Sequence, residues 1–265
     1  MPAVGAVTGI PVLLYHCLSP DASSWIAPFT VTAQCLDRHL AIVAAAGRTP
    51  VTVSELHDGL SGRGPLPARP VVVTFDDGFA DTLTVAAPIL RRRGVAGTIY
   101  LTSGFLGGVS PGGDRMLDWA QARELVDQGH EIGGHSVSHR QLDTLSRPEA
   151  RHEVRASREQ LQERLDVPVR SFAYPHGYSS PRVRREVMEA GYDSACSVKN
   201  ALSGPRDTRF SISRLTVTAG VSDDTIRAWV NGSAPTGGRD ERLLTRGWRA
   251  YRRLRLVATA SGDRS

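Results

Sequence analysis

From residue 10 to about residue 230, short runs rich in β-branched residues alternate with amphipathic stretches of helical period, and a chain written this way folds as repeated βα units. Candidate strands fall at 12–15, 49–53, 71–75, 98–101, 131–133, 171–173, 194–198 and 212–217. The helices between them have recognisable ends: Ser146, Pro148 and Glu149 spell a capping box with an early proline, Ser180-Pro181 opens another helix, and Gly94, Gly129 and Gly191 stand where helices should stop. A parallel sheet with helices outside follows, either closed into a barrel or open. Periodicity does not choose between the two, but in both the strands' C-terminal ends collect ligands.

The 265 residues suit a single α/β barrel, a fold of roughly 200–250 residues, followed by a tail. The 40% hydrophobic and 22% charged residues are close to an ordinary soluble globule and argue against both wholesale disorder and a membrane-embedded protein. Cys17, Cys35 and Cys196 are odd in number and widely spaced, which suits neither a disulfide framework nor a cysteine zinc site.

Three predicted strand ends carry chemistry. The first is Thr74-Phe75-Asp76-Asp77-Gly78, where a turn at Gly78 can bring both carboxylates to one mouth, and a cation must then offset their repulsion. On this pair alone, an Asp-Gly turn that merely ends a strand reads as well. The second is Gly133-Gly134-His135-Ser136-Val137-Ser138-His139, whose histidines four apart can meet on one side of a helical turn and share a divalent metal with an aspartate. The third is Arg170-Ser171-Phe172-Ala173-Tyr174-Pro175-His176-Gly177: an arginine able to pair with a carboxylate, then a loop whose backbone N–H groups can face a ligand.

In this order the three segments resemble the polysaccharide deacetylase family, also called the NodB-homology or carbohydrate esterase 4 family, and the similarity in element order runs over roughly residues 10–220. The resemblance implies a distorted (β/α) barrel and metal-dependent removal of acetyl groups from N-acetylated sugars, zinc being the usual ion. It makes Asp77, His135 and His139 the metal ligands and Asp76 the general base, with Arg170 holding Asp76 in place. The backbone N–H of Tyr174 would help hold the oxyanion, and Pro175 and His176 would border the substrate.

Two departures from the family pattern stand out. The late Leu-x-His segment that supplies many members' general acid is missing, since no histidine follows His176. His16, after Tyr15 at the end of the first strand, resembles the early acid histidine of the branch that deacetylates poly-N-acetylglucosamine, with His176 the fallback acid. The late Asp-x-x-Asp-Trp motif is missing too. Met116-Leu117-Asp118-Trp119 resembles a segment of the same branch, so Trp119 either walls the sugar site or packs in a helix that Asp118 caps.

These readings give a catalytic domain at 1–230, a linker at 231–241 and a basic amphipathic tail at 242–265. Eight arginines against three acidic residues after position 238 carry the whole formal excess of +5, so the body of the domain is neutral and nucleic acid is not an expected partner. The tail either packs its aromatic stripe on the barrel or makes a peripheral contact with an anionic membrane. The apolar run 10–14 has no Lys or Arg ahead of it and suits neither a signal nor an anchor, so the expected location is the cytoplasm or its membrane face, although an exopolysaccharide substrate would fit an exported protein better. The expected activity is metal-dependent hydrolysis of the acetamide of N-acetylhexosamine units in a poly- or oligosaccharide. The alternatives are a same-fold hydrolase of O-acetyl groups or cyclic amides, and a non-catalytic saccharide-binding protein.

Overall fold

The computed structural model describes residues 9–234. Its strands are β1 (Val12–Tyr15), β2 (Thr49–Pro50), β3 (Pro70–Phe75), β4 (Thr98–Leu101), β5 (Glu131–Gly134), β6 (Ser171–Ala173), β7 (Ser194–Val198) and β8 (Ile212–Thr216). Its α-helices are α1 (Ala33–Ala45), α2 (Val53–Leu60), α3 (Ala87–Arg92), α4 (Trp119–Asp127), α5 (Arg147–Leu165), α6 (Pro181–Glu189) and α7 (Asp223–Val230). Every strand pairing is parallel. β1 pairs with both β3 and β8, which closes a seven-stranded barrel and leaves β2 outside it, on the first residues of β3.

Side chains alternate across each strand, so the barrel has two cores. Val12, Val72, Tyr100, Ala173, Cys196 and Ile212 point inward and pack together. Leu13, Val71, Val73, Ile99, Phe172, Ala195 and Leu215 point outward into the layer under the helices. β3 is buried along its full length, hence its unbroken apolar run.

The expected strand 49–53 is shorter than its composition suggests. The chain leaves the sheet after Pro50 because Thr52 and Glu55 form a capping box that starts α2. Val53 and Leu56 of α2 then join the inner core, so this helix closes the barrel at the end where the strands begin. Glu131 seals that end, accepting hydrogen bonds from Ser54, Thr98 and Ser171.

The other expected helix signals hold. Ser146 and Glu149 form a reciprocal cap on α5, Ser180 caps α6, and Gly94, Gly129 and Gly191 take positive φ past helix ends. No helix among the described residues is long and apolar enough to cross a membrane. The expected basic tail lies outside the described residues, as does the linker beyond residue 234.

Candidate active site

The site forms where the strands end. Asp76 and Asp77 follow β3 directly and are both 3% exposed. Asp76 continues the inward alternation of Val72 and Thr74. Asp77 cannot simply follow it, because the next residue of a strand would face the helices. The chain instead turns through positive φ at Asp77 itself (74°) and at Gly78 (90°), which keeps the second carboxylate at the mouth. Gly78 also packs on β4, where an added Cβ would lie 2.9 Å from the Leu101 side chain.

His135 and His139 arrive from the end of β5 on a loop rather than on the helical turn expected from their spacing. Positive φ at Ser136 (64°) and His139 (56°) folds the loop back on itself. Of the six non-glycine residues with positive φ among the described residues, four (Asp77, Ser136, His139 and His176) belong to this mouth, the clustering expected where function maintains backbone strain. The loop is pinned from two sides. The buried carboxylate of Glu153 on α5 accepts hydrogen bonds from the N–H groups of Val137 and Ser138, both 2.9 Å, and from the Ser138 hydroxyl. The N–H of His139 donates to Ser136 Oγ at 3.0 Å. Gly104 lies against the loop so closely that a Cβ there would meet the Val137 carbonyl oxygen at 2.5 Å.

Asp77, His135 and His139 each offer one ligand atom, and these atoms lie within 4.8 Å of one another. Asp77 Oδ1 is 3.3 Å from His135 Nε2 and 3.1 Å from His139 Nε2, and it is buried without a well-formed hydrogen bond. An unsatisfied buried carboxylate oxygen is costly unless a cation meets it. His135 Nδ1 donates to the carbonyl oxygen of Ala173 at 2.7 Å, which leaves the lone pair on Nε2, aimed at Asp77. One carboxylate and two imidazoles so arranged fit a divalent metal and leave coordination positions for water or substrate.

The cation that balances Asp76 is Arg214, not the expected Arg170. Arg214 on β8 is fully buried and donates from Nη1 and Nη2 to the two Asp76 oxygens at 2.6 and 2.7 Å, with its guanidinium 5.5 Å from the Tyr100 ring centre. Burial alone would raise the pKa of Asp76, but the charge of Arg214 and its paired hydrogen bonds outweigh it and hold the carboxyl below its ordinary value. Asp77 is held well below its own ordinary value, burial again being outweighed, here by the charge of His139 and contacts from His135. Arg170 precedes β6 and therefore stands at the opposite end of the barrel. There it pairs with both oxygens of Asp58 at 2.8 and 2.9 Å and with Asp193 at 2.7 Å. Sequence reading missed Arg214, although an arginine two residues after Ile212, at an inward position of an apolar strand, was the available signal.

The remaining expected residues divide. His16, at the end of β1, lies within electrostatic reach of Asp77, Asp76, Arg214 and His135, and its Nδ1 is buried without a hydrogen bond. Burial lowers its pKa against the opposing pull of the two aspartates. His176 joins the mouth in the turn Pro175–Gly177, its ring 4.7 Å from that of His139. Tyr174 does not supply an oxyanion N–H: the β6–β7 ladder runs past it, its N–H donates to the Cys196 carbonyl at 3.2 Å, and the chain turns only at Pro175. Its hydroxyl donates to the Phe210 carbonyl at 3.0 Å. Trp119 is not a wall of the site either. It opens α4, which Asp118 caps, and packs in the helix layer with the Arg164 guanidinium 4.7 Å above its ring. Cys17 is buried and donates to Asp81 at 3.0 Å, with its thiol pushed up to about 12 by burial, so it is no nucleophile.

Comparison with known proteins agrees with this geometry. The family model described as Polysaccharide deacetylase matches residues 63–195, which spans the Asp76-Asp77 and His135–His139 segments but neither His16 nor Arg214. YxkH of Bacillus subtilis (strain 168), named for a polysaccharide deacetylase, is 22% identical over 221 residues, covering 83% of this chain and 76% of YxkH. IcaB from Ammonifex degensii superposes with a TM-score of 0.74 at 26% identity, covering 85% of this chain and 97% of IcaB. The Streptococcus pyogenes deacetylase PplD, solved in complex with acetate, superposes with a TM-score of 0.73 at 22% identity, covering 82% of this chain and 96% of PplD. With half of its length matched by the family and its barrel shared with solved deacetylases along most of the chain, this protein belongs to the polysaccharide deacetylase family.

Proposed function

We propose that the protein is a metal-dependent N-deacetylase that hydrolyses the acetamide of N-acetylhexosamine units in a poly- or oligosaccharide. The observation that carries this reading is the Asp77–His135–His139 cluster set beside the buried Asp76–Arg214 pair at the barrel mouth. Asp77, His135 and His139 would hold the cation, zinc by the chemistry of the donor set, which would supply a Lewis acid for the acetyl carbonyl and the attacking water.

Asp76, kept ionised and fixed in orientation by Arg214, accepts the proton of the attacking water. The water oxygen bonds to the carbonyl carbon, the C–N bond breaks, and His16 delivers a proton to the leaving nitrogen, giving acetate and a free amine, while the proton that Asp76 took from the water replaces the one His16 gave. The acetate in PplD is the product such a reaction releases.

The test is acetate release from β-1,4- and β-1,6-linked N-acetylglucosamine oligomers by metal-stripped protein with and without added zinc. Zinc-dependent release is expected. Asp76→Asn should lower it by about 10²–10⁴-fold, the range for loss of a general base, while zinc still binds. Release that persists in the variant would sink the role of Asp76. Ammonia release or ring opening of cyclic amides in place of acetate would move the substrate class.

A further inference from the structure

Two exposed aromatic rings border the mouth, and no step described above uses them. Trp25 and Phe29 lie on the connection between β1 and α1 and are 38% and 37% exposed. The Phe29 ring centre is 5.1 Å from that of His16, and the Trp25 ring centre is 6.5 Å from that of Phe79, two residues beyond Asp77. The rings therefore extend the rim outward from the reacting groups.

They are also held rigidly. Ile26 and Ala27 donate to the Ser23 carbonyl at 3.1 and 2.9 Å, Phe29 donates to Ile26 at 2.8 Å, and Ala219 donates to Pro28 at 3.1 Å. The Asp114 carboxylate accepts from the Ser23 N–H at 2.7 Å, the Ser23 hydroxyl at 2.6 Å and the Ser110 hydroxyl at 2.8 Å, which clamps this connection to the one between β4 and α4. Gly112 fits beneath it, where an added Cβ would lie 2.7 Å from the Cβ of Trp25. Two apolar rings kept in water, beside the site and on an ordered loop, are prepaid in conformational entropy for a partner that is flat and apolar on one face.

We infer that Trp25 and Phe29 form a stacking platform for the sugar rings that flank the one being deacetylated. A pyranose presents a face of C–H groups that suits an aromatic ring while its hydroxyls stay in water at the edges. The occupant is a neighbouring unit of the same saccharide, because Phe29 stands against His16 and Trp25 against Phe79 on the segment that follows Asp77. This inference rests on the saccharide reading proposed above.

The experiment measures acetate release and calorimetric binding of an N-acetylglucosamine hexasaccharide with zinc-loaded wild type, Trp25→Ala, Phe29→Ala, Trp25→Tyr and Met188→Ala. Each alanine variant at the platform should raise KM and the calorimetric Kd about tenfold, the loss of one stacked ring, with kcat within about twofold. Trp25→Tyr should restore most of the affinity, and Met188→Ala, which trims an exposed apolar side chain on α6, should change neither constant. Acetate release with unaltered KM and Kd in both platform variants would overturn the inference and leave the deacetylase reading standing. Should wild type release no acetate, that reading fails and calorimetry still decides: hexasaccharide binding weakened in the platform variants supports the platform, and absent or unaltered binding overturns it.

Discussion

Asp76 and Asp77 are neighbours in the chain, yet their surroundings assign them different partners. Asp76 meets the Arg214 guanidinium in a bidentate pair, and Asp77 meets two imidazoles. Both carboxyls stay ionised despite burial because each has its own nearby positive charge, and this separates their proposed roles. Arg214→Lys keeps a charge but not two parallel N–H donors at fixed separation. Acetate release should fall by about 10²-fold from a misoriented base, while zinc affinity, read by chelator competition, stays within a few-fold because no ligand is touched. His16→Ala should slow amide hydrolysis by about 10²-fold or more, with a smaller loss on acetate esters, whose leaving groups need less help from an acid. Equal losses on amide and ester would remove His16 from the role of acid.

The element that most depends on its neighbours is the loop after β5. Its fold comes from a carboxylate on another helix: Glu153 of α5 accepts the N–H groups of Val137 and Ser138, between the two histidines. Glu153→Ala leaves those groups without an acceptor and frees the loop, so zinc affinity should drop about 10–100-fold, the range for losing a group that supports metal ligands. Glu153→Gln keeps one amide oxygen as an acceptor and should recover part of that affinity. An alanine variant that binds zinc as wild type does would show that the loop holds itself.

Across the whole molecule, charge is divided between the barrel's two ends. Arg170 does at the closed end what was expected of it at the mouth, joining α2 to the approach to β7 through Asp58 and Asp193. Arg170→Ala should leave kcat unchanged and lower stability by about 1–2 kcal/mol, between an exposed and a buried pair because the groups are partly solvated. The pKa of Asp58 is depressed chiefly by its hydrogen bonds from Arg170, so its contribution is present above the ordinary aspartate value and lost as pH falls. Denaturant titrations should therefore show the wild-type advantage over Arg170→Ala shrinking as pH drops below about 4. A gap that stays constant with pH would exclude this linkage.

The sequence alone determined the βα order, seven of the eight strands to within a residue or so, the caps of α5 and α6, and the gathering of Asp76, Asp77, His135, His139 and His16 at strand ends. Those features are local: side-chain alternation, a cap three residues from its partner, and a motif that follows its own strand. The tertiary structure decided that β1 joins β3 past β2, that Arg214 rather than Arg170 meets Asp76, that the Tyr174 N–H belongs to a ladder, and that Trp119 packs under α5. Each of these depends on which residues far apart in the chain come to lie at one end of a barrel. Arg170 precedes its strand and Arg214 lies within its own, and because all the strands run parallel that offset brings their guanidinium groups to opposite ends of the barrel.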